Sequence, residues 1–442
     1  MTSSGNGENV GIYRFGKQKL SPKSHNNEQH FVGLMLSKRE NSLQDRIYAF
    51  YKQKNKDTAL DSDKWIPFVS QVCTADIGGR KNLLMNKWTS MMNARLFCGD
   101  PERKQYFSEL LDVNIVDADR WEETKVYALF RNEWGVSAVC MYTVADIHEV
   151  FMFSLFKEPQ TKRQPDRPRE CVLESSTIPA AILNNIKEVS EMEEWVKPAK
   201  NSLPLLVHRH NYTGIHVDAS QHSSNGPNTV IFLSLANGGI HKVLQSEKDT
   251  FLISEYRPFH HHAHISSFFL HPRSRKLYVT SHREVVEVDV VNCERYGNSC
   301  EDCILSRDPY CSWSNNQCAE KRDPHLITGN YSGCSQNSKY FHLSTEKVEN
   351  SPIVLPSGSR YFLRCPVSSL HAEYVWKTPS SSKSCSPKED GCLLLIESMS
   401  SLQDGGYECT SEEKGYKKVV ARYQLRSTAP GRTAPSGFMC PA

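Results

Sequence analysis

The sequence predicts a mostly β chain built from several modules, on three observations. Short runs of β-branched and aromatic residues recur from His30 to about residue 290. Six cysteines crowd between Cys293 and Cys334, and a Cys–Trp–Cys series follows at Cys365, Trp376 and Cys409. Strand runs broken by polar loops argue for sheets. Crowded cysteines argue for a small stapled module. The last series argues for a β-sandwich whose sheets are bridged beside a buried Trp.

At 442 residues the chain has room for two or three domains. A net charge of +3, with 23% charged residues, gives no bulk attraction to nucleic acid or to a membrane surface. Fifteen cysteines argue for an oxidising, extracellular setting, secreted or at the cell surface. The first residues, from Met1 to Gly7, carry neither the basic nor the apolar region of a signal peptide. No run of eighteen apolar residues would span a membrane. A disulfide-rich protein needs export, so we expect the export signal to belong to a longer N-terminus.

Residues 1 to about 30 are polar. Phe31 to Leu36, Ile47 to Tyr51 and Phe68 to Cys73 then read as strands. Similar units begin at Arg46, Lys125 and Lys276, each a basic residue, an aliphatic residue, Tyr and alternating small and apolar residues. Units recurring at a long, uneven period suggest propeller blades with insertions. Val230 to Leu235 and Ile240 to Leu244, joined through Asn237-Gly238-Gly239, read as a hairpin whose turn needs positive φ. Thr177 to Met192 has apolar positions at helical spacing, with Pro179 in the first turn and Pro198 as the stop. This inserted helix either packs on the propeller edge or serves an interface; its pattern slightly favours packing.

The cluster Cys293, Cys300, Cys303, Cys311, Cys318 and Cys334 lies in a segment too short to fold on an apolar core. Structural disulfides are the favoured reading. Cys300-x-x-Cys303 alone would also suit half a zinc site or a redox pair. No matching second pair follows, however, and the neighbouring cysteines spoil the redox motif. Further on, Cys365, Trp376, Tyr407 and Cys409 form an immunoglobulin-type series with a tyrosine corner, with Gln403 where Asp is commoner. Cys385 and Cys392 would staple a loop between the sheets. Past Arg426 the chain is rich in Pro, Gly and Ser and reads as a disordered tail, with Cys440 the odd cysteine.

The run Cys293-x6-Cys300-x2-Cys303, then Arg307-Asp308-Pro309-Tyr310-Cys311-x-Trp313, resembles the PSI knot in its semaphorin form. Upstream, Cys73-x-x-Asp76-x-Gly78-Gly79, Lys87-Trp88-Thr89 and Ala94-Arg95-Leu96-x-Cys98 resemble the semaphorin domain. So does the stretch from Ser137 through Cys140, Tyr142, Asp146 and Ile147 to Val150-Phe151. The resemblance implies a partial seven-bladed sema propeller over 1–292, front blades and closing strand missing and blade edges exposed. It implies a PSI knot over 293–335, an Ig-like sandwich over 345–428 and a tail over 429–442. The helix near residue 180 would be the blade-five extrusion. The implied disulfides are Cys73–Cys171 around Cys98–Cys140, then Cys293–Cys311, Cys300–Cys334, Cys303–Cys318, Cys365–Cys409 and Cys385–Cys392. The knot and the Cys385/Cys392 pair together are similar to class 7, with related poxvirus semaphorins. Class 7 members are GPI-anchored, and the apolar tail that would direct this is not found here.

That class implies a ligand for a plexin receptor, plexin-C type, in axon guidance, cell migration and immune regulation. It implies homodimerisation of the full-length protein and no cofactor, catalysis or nucleic-acid partner. It also implies a possible β1-integrin contact through Arg-Gly-Asp after the cysteine equivalent to Cys73. Here that tripeptide is Thr74-Ala75-Asp76, so the guanidinium is gone. Leu111-Asp112-Val113 is an integrin-type tripeptide in a strand-like run.

No nucleophile elbow, P-loop or H-E-x-x-H motif is found. His260, His261, His262 and His264 could bind a transition metal weakly, but alternation on one face of a half-exposed strand is favoured. The basic, Pro-rich run from Lys157 to Arg169 could meet heparan sulfate, with a solvated loop favoured. Asn211-Tyr212-Thr213 and Asn330-Tyr331-Ser332 are glycosylation acceptors. The rival readings are a receptor sharing the knot and Ig modules, or a secreted propeller hydrolase with carboxylates converging at the blade tops.

Overall fold

The computed structural model describes the chain apart from segments 158–166, 224–225, 247–249, 297–298, 321–328, 335–351, 386–390 and 429–442. The single positions 8, 24, 58, 60, 61, 262, 272, 333 and 368 are also outside the described residues. Two compact units separate, one of residues 1–251 and 255–290, the other of 252–254 and 291–442.

The first unit is an arc of four antiparallel meanders. Blade one comprises Gln29–Ser37, Arg46–Lys54, Trp65–Cys73 and Met92–Arg95, paired in chain order. Blade two comprises Glu109–Val116, Lys125–Arg131, Ser137–Thr143 and Leu206–His208. Blade three runs through Tyr212–Ser223, Gly226–Leu235, Ile240–Gln245 and Thr250–Tyr256. Blade four has three strands, Ser267–His271, Lys276–Thr280 and Val285–Asp289. The repeating units seen in sequence turn out to share one position: each is the second strand of its blade. In blades one and two this strand is buried on both faces and reads as a near-continuous apolar run, whereas in blade four it alternates, with Leu277 and Val279 buried between half-buried residues. Tyr48, Ala49, Phe50 and Tyr51 are all buried, as are Val126 to Phe130.

The first strands of successive blades lie side by side around the hub. The Ile215 amide donates to Asp112 Oδ2 at 2.9 Å, and the Val217 amide to Asn114 Oδ1 at 3.2 Å. Gly33 allows the closest approach, since a Cβ there would stand 2.1 Å from Val113 Cγ2. The interior between blades one and two holds Tyr48, Phe50, Val69, Phe107, Leu110 and Phe130, together with Ile147 and Phe151 of helix α1 (Val144–Phe153). Thr143 starts α1 by accepting from the Asp146 amide.

Two sequence expectations, the extent of the inserted helix and the histidine strand, are corrected. The polar N-terminal stretch packs on blade one. Its few apolar side chains, Ile12 and Leu20, are buried against Ala49, Val72, Trp88 and Met91. Trp88 Nε1 donates to the Ile12 carbonyl at 2.8 Å. Leu34 and Leu36 of that blade, and Phe269 of blade four, do stay exposed. The inserted helix, α2, is shorter than its periodicity suggests, spanning Ala180–Glu188. It stops at Val189 rather than Pro198, because the chain next pairs with Asn93: the Asn93 amide donates to Ser190, and Met192 donates back to Asn93. Leu183 and Ile186 pack with Ile178, Leu83 and Leu84, as a helix covering its own unit would. Finally, the histidine-rich stretch is no strand. Blade three ends at Tyr256 and blade four begins at Ser267, and the described residues between them form a connection. Pro258 lacks the amide a ladder would need. Phe259 and Ile265 anchor the connection, and His260, His261 and His264 stand in solvent.

The second unit holds the knot and a sandwich. Helix α3 (Cys300–Leu305) and the hairpin Cys311–Ser314 with Gln317–Glu320 are stapled by three disulfides. Buried Asp308 accepts from the Tyr296 hydroxyl at 2.8 Å and the Tyr310 amide at 3.0 Å. The sandwich sets a five-stranded sheet against the pair Tyr361–Cys365 and Cys392–Ile396. The larger sheet orders Ile353–Pro356, Tyr416–Thr428, Gly405–Glu413, Glu373–Lys377 and Ser382–Cys385. Trp376 lies in its core with Leu363, Cys365 and Cys409, its Nε1 donating to the Cys392 carbonyl at 3.2 Å. Tyr407 donates to the backbone carbonyl of Gln403 at 2.9 Å, so the corner is indifferent to that side chain. Knot and sandwich meet directly. Lys418 Nζ lies 2.7 Å from Asp302, and the Tyr331 hydroxyl donates to the Lys414 carbonyl at 2.9 Å.

Candidate interaction site

The Thr74-Ala75-Asp76 loop is placed by its neighbours, and it is not a free loop. Asp76 is 2% exposed. One carboxylate oxygen accepts from the Gly78 amide at 2.8 Å and the Thr89 and Ser175 hydroxyls at 3.0 Å. The other accepts from the Thr89 and Ser90 amides at 2.8 Å and the Ser90 hydroxyl at 2.7 Å. Arg14 holds the loop from outside, donating to the carbonyls of Thr74 and Asp76. A carboxylate with six donors has no lone pair left for a partner's metal. Asp112 of the second integrin-type tripeptide is likewise turned inward onto the Val113 and Ile215 amides.

A better surface lies at the end of blades one and two. Lys64, Trp65, Glu109, Arg131, Asn132 and Asn211 contribute to a cleft of 370 Å³. Glu109 bridges Lys52, at 2.7 Å, and Arg131, at 2.9 Å. Burial opposes the charge of Glu109, but the hydrogen bonds from Lys52 and Arg131 outweigh it and hold the carboxyl below its usual range. Arg131 continues to Asn211 Oδ1 at 2.9 Å. Asn132 Oδ1 caps the adjoining turn by accepting from the Trp134 and Val136 amides, and Gly135 supplies its φ of +76°. The turn leaves Trp134 90% exposed beside this ordered, charged rim. A bare indole on a rigid turn is a ready anchor for a protein partner.

Blades two and three meet at a histidine stack. The rings of His208 and His210 are parallel at 4.1 Å, His241 lies edge-on to His210 at 4.7 Å, and the Tyr212 hydroxyl is 2.8 Å from His241 Nδ1. Glu255 sits 3.8 Å from the far side of His241. Burial, then the neighbouring imidazoles, lower His210 to about 4. Its folded pKa is below the unfolded value near 6.5, so its stabilisation is present above pH 6.5 and lost as pH falls towards 4. Asp112, pushed up to about 6 by burial, acts in the opposite sense below pH 6. The expected result is therefore a difference between proteins. His210→Gln should recover about 1 kcal/mol of the stability lost between pH 7 and 4.5, after discounting for partial exposure. Parallel pH profiles of the urea midpoint for variant and parent would count against it.

Among the other predicted positions, the structure joins Cys73 to Cys171 (S–S 2.07 Å) and Cys98 to Cys140 (2.09 Å). It also joins Cys293 to Cys311, Cys300 to Cys334, Cys303 to Cys318, Cys365 to Cys409 and Cys385 to Cys392. Asn211 and Asn330 are both exposed. Most of the Lys157–Arg169 run, His262 and Cys440 lie outside the described residues. Buried Arg167, at its end, donates to the carbonyls of Val189 and Met91. Among the described residues no His, Cys, Asp and Glu group could hold a metal, and no helix is long and apolar enough to cross a membrane. Sequence reasoning missed Trp134. The signal available was Asn132-Glu133-Trp134-Gly135, a turn tetrapeptide with an aromatic at its tip.

Comparison with known proteins adds the following. The Sema domain matches residues 110–272, the plexin repeat 292–344, and the Semaphorin-3/4/7A immunoglobulin-like domain 348–436. The chain is 31% identical to Semaphorin-7A of Mus musculus over 408 residues, 89% of this chain and 61% of that protein. It thus spans about three fifths of that relative's length. Among solved structures, Drosophila Semaphorin 2a superposes with a TM-score of 0.62 at 20% identity, over 91% of this chain and 66% of that one, a likeness of fold. A structure of Drosophila Plexin A in complex with Semaphorin 1b gives 0.57 at 25% identity, over 68% and 63%.

Proposed function

Because the chain belongs to the semaphorin family, we propose that it is an extracellular recognition ligand of class 7 type, engaging a plexin receptor and catalysing nothing. The observation that carries this is the order of three family signatures along one chain: Sema domain, plexin repeat and semaphorin-type Ig domain. The class 7 likeness of the knot and of the Cys385/Cys392 pair is what suggests the plexin-C type as receptor. Signalling in axon guidance, migration and immune regulation would follow from receptor clustering. A homodimeric ligand brings two receptors together, and avidity supplies the gain. A glycan at Asn330 suits that setting, while the contact assigned below takes Asn211, whose amide oxygen accepts from Arg131 in the cleft, as unmodified. Integrin contact has no support from the geometry, since Asp76 and Asp112 are both committed internally.

Within this reading we assign the receptor contact to Trp134 and the charged cleft beside it. The full chain, exported behind a signal peptide, should bind an immobilised plexin-C ectodomain. Trp134→Ala should weaken that binding roughly 30-fold or more, as loss of a central aromatic anchor does. The turn is exposed, so the thermal midpoint should not move. Binding unaltered by Trp134→Ala would remove the contact assignment. No binding to any plexin ectodomain by the folded parent would remove the ligand reading itself.

A further inference from the structure

Blade one carries two guanidinium groups with no carboxylate of their own. Arg46 is 2% exposed, faces Ser37 across the first two strands, and lies diagonal to Gln71 on the third. Its terminal nitrogens donate to Gln71 Oε1 at 3.2 Å and Gln44 Oε1 at 3.4 Å, and one also meets His148 Nδ1 from α1. Arg39 donates to the Tyr48 hydroxyl at 3.1 Å and lies over the Trp121 ring. The nearby acids form no ion pair with them, although Glu122 acts on Arg39 through space. Asp45 accepts from the Arg39 backbone amide, and Glu122 and Glu123 both face Arg120. Among the described residues no ion pair reaches either guanidinium. Four buried donors around them have no acceptor: Ser37 Oγ, Arg39 Nε, Arg46 Nε and Gln71 Nε2.

Buried arginine is rare without a counter-charge, and unmade hydrogen bonds at buried donors are costly. Four such donors in one cluster, next to two permanent cations, describe the coordination shell of an anion. We propose that Arg46 and Arg39 hold a small monovalent inorganic anion of halide size between blade one and α1. The size follows from the donors left over. Oxyanions are gripped by the paired N–H groups of a guanidinium fork. Here one Arg46 terminal nitrogen is spent on Gln71 and His148 and the other donates to Gln44, so the unpartnered buried atoms beside it, Arg46 Nε, Ser37 Oγ and Gln71 Nε2, come from three different side chains rather than from one fork, an arrangement that suits a sphere. Arg39, half-buried, marks the side open to solvent. A neutral His148 keeps the site from carrying a third positive charge. Burial, then Arg46 and Arg39, hold it at about 3.

The test is the thermal midpoint of the full chain as chloride replaces a bulky sulfonate at constant ionic strength and pH 7.4. The midpoint should rise by roughly 3 °C or more as the site fills, since a ligand that binds only the folded state stabilises it. Bromide should substitute for chloride, and sulfate should not. Arg46→Met should abolish the anion dependence. Should that variant fail to fold, Arg39→Gln reads the same property at a more exposed position. Excess chloride-35 line width in the parent, lost in Arg39→Gln, reports binding without unfolding. Equal midpoints in chloride and sulfonate would mean that water fills the site and would overturn the proposal. So would an anion dependence that survives in both variants, or one that sulfate reproduces.

Discussion

Asp76→Ala is expected to cost about 4 kcal/mol, a penalty typical of removing one partner from a buried, charge-assisted network. The substitution removes the acceptor shared by Gly78, Thr89, Ser90 and Ser175. Two of these lie in the segment after the Lys87-Trp88 run, and Ser175 follows Cys171. One carboxylate therefore ties three separate stretches of chain together. Asp76→Asn should lose somewhat less, since one oxygen survives while the new amide turns donors towards donors. In the full chain the thermal midpoint should fall by roughly 10 °C, with secreted yield falling alongside. A midpoint within about 2 °C of the parent would show that the loop is held mainly by Arg14 and the disulfide. Arg-Gly-Asp peptides should not compete with this chain for β1-integrin-bearing cells. Clear competition would mean that Asp76 leaves its donors, contrary to the geometry.

Trp376→Ala should be comparably damaging, at about 3 to 5 kcal/mol for loss of a fully buried indole. The side chain fills the space between the two sheets against the Cys365–Cys409 bridge, and its Nε1 is spent on the Cys392 carbonyl. The second unit has its own core and five disulfides, with contiguous strand pairing among its described residues. Residues 291–428, expressed alone through a secretory route, are therefore expected to resist protease. Trp376→Ala in that fragment should open the sandwich while the knot, held by its own three disulfides, stays compact. Limited proteolysis would read this as cleavage confined to residues 353–428. Cleavage spread equally through the knot would mean that the two modules unfold as one, through contacts such as Lys418 with Asp302.

Local chemistry was legible in the sequence, and long-range assembly was not. The strand units at Arg46, Lys125 and Lys276 announced themselves, because the second strand of each of these blades repeats one composition. The knot and sandwich announced themselves through cysteine and tryptophan spacing. Helix α1 was readable and was missed: Thr143 and Asp146 make a capping pair, and Val144, Ile147 and Phe151 repeat at helical spacing. Helix α2 was overextended because periodicity cannot register that Asn93, nearly a hundred residues earlier, captures the chain at Ser190 and Met192. The covering of blade one by Ile12 and Leu20 was hidden by the polar residues around them. The burial of Asp76 was beyond local reading, since most of its donors come from distant positions. The Arg39–Arg46 cluster was beyond it for the same reason, with His148 arriving from another blade.

The nested bridges have a consequence for what a cut chain would be. Cys73–Cys171 encloses Cys98–Cys140, and the dibasic pair Lys162-Arg163 falls inside the outer loop. A protease severing the backbone there would break connectivity without releasing anything, because the outer bridge would still link the two pieces. A cut between residues 98 and 140 would leave two bridges spanning it. A molecule nicked between Cys73 and Cys171 would run as one species until reduced and as two afterwards, so processing in that stretch would be a redox-gated separation rather than a loss of mass.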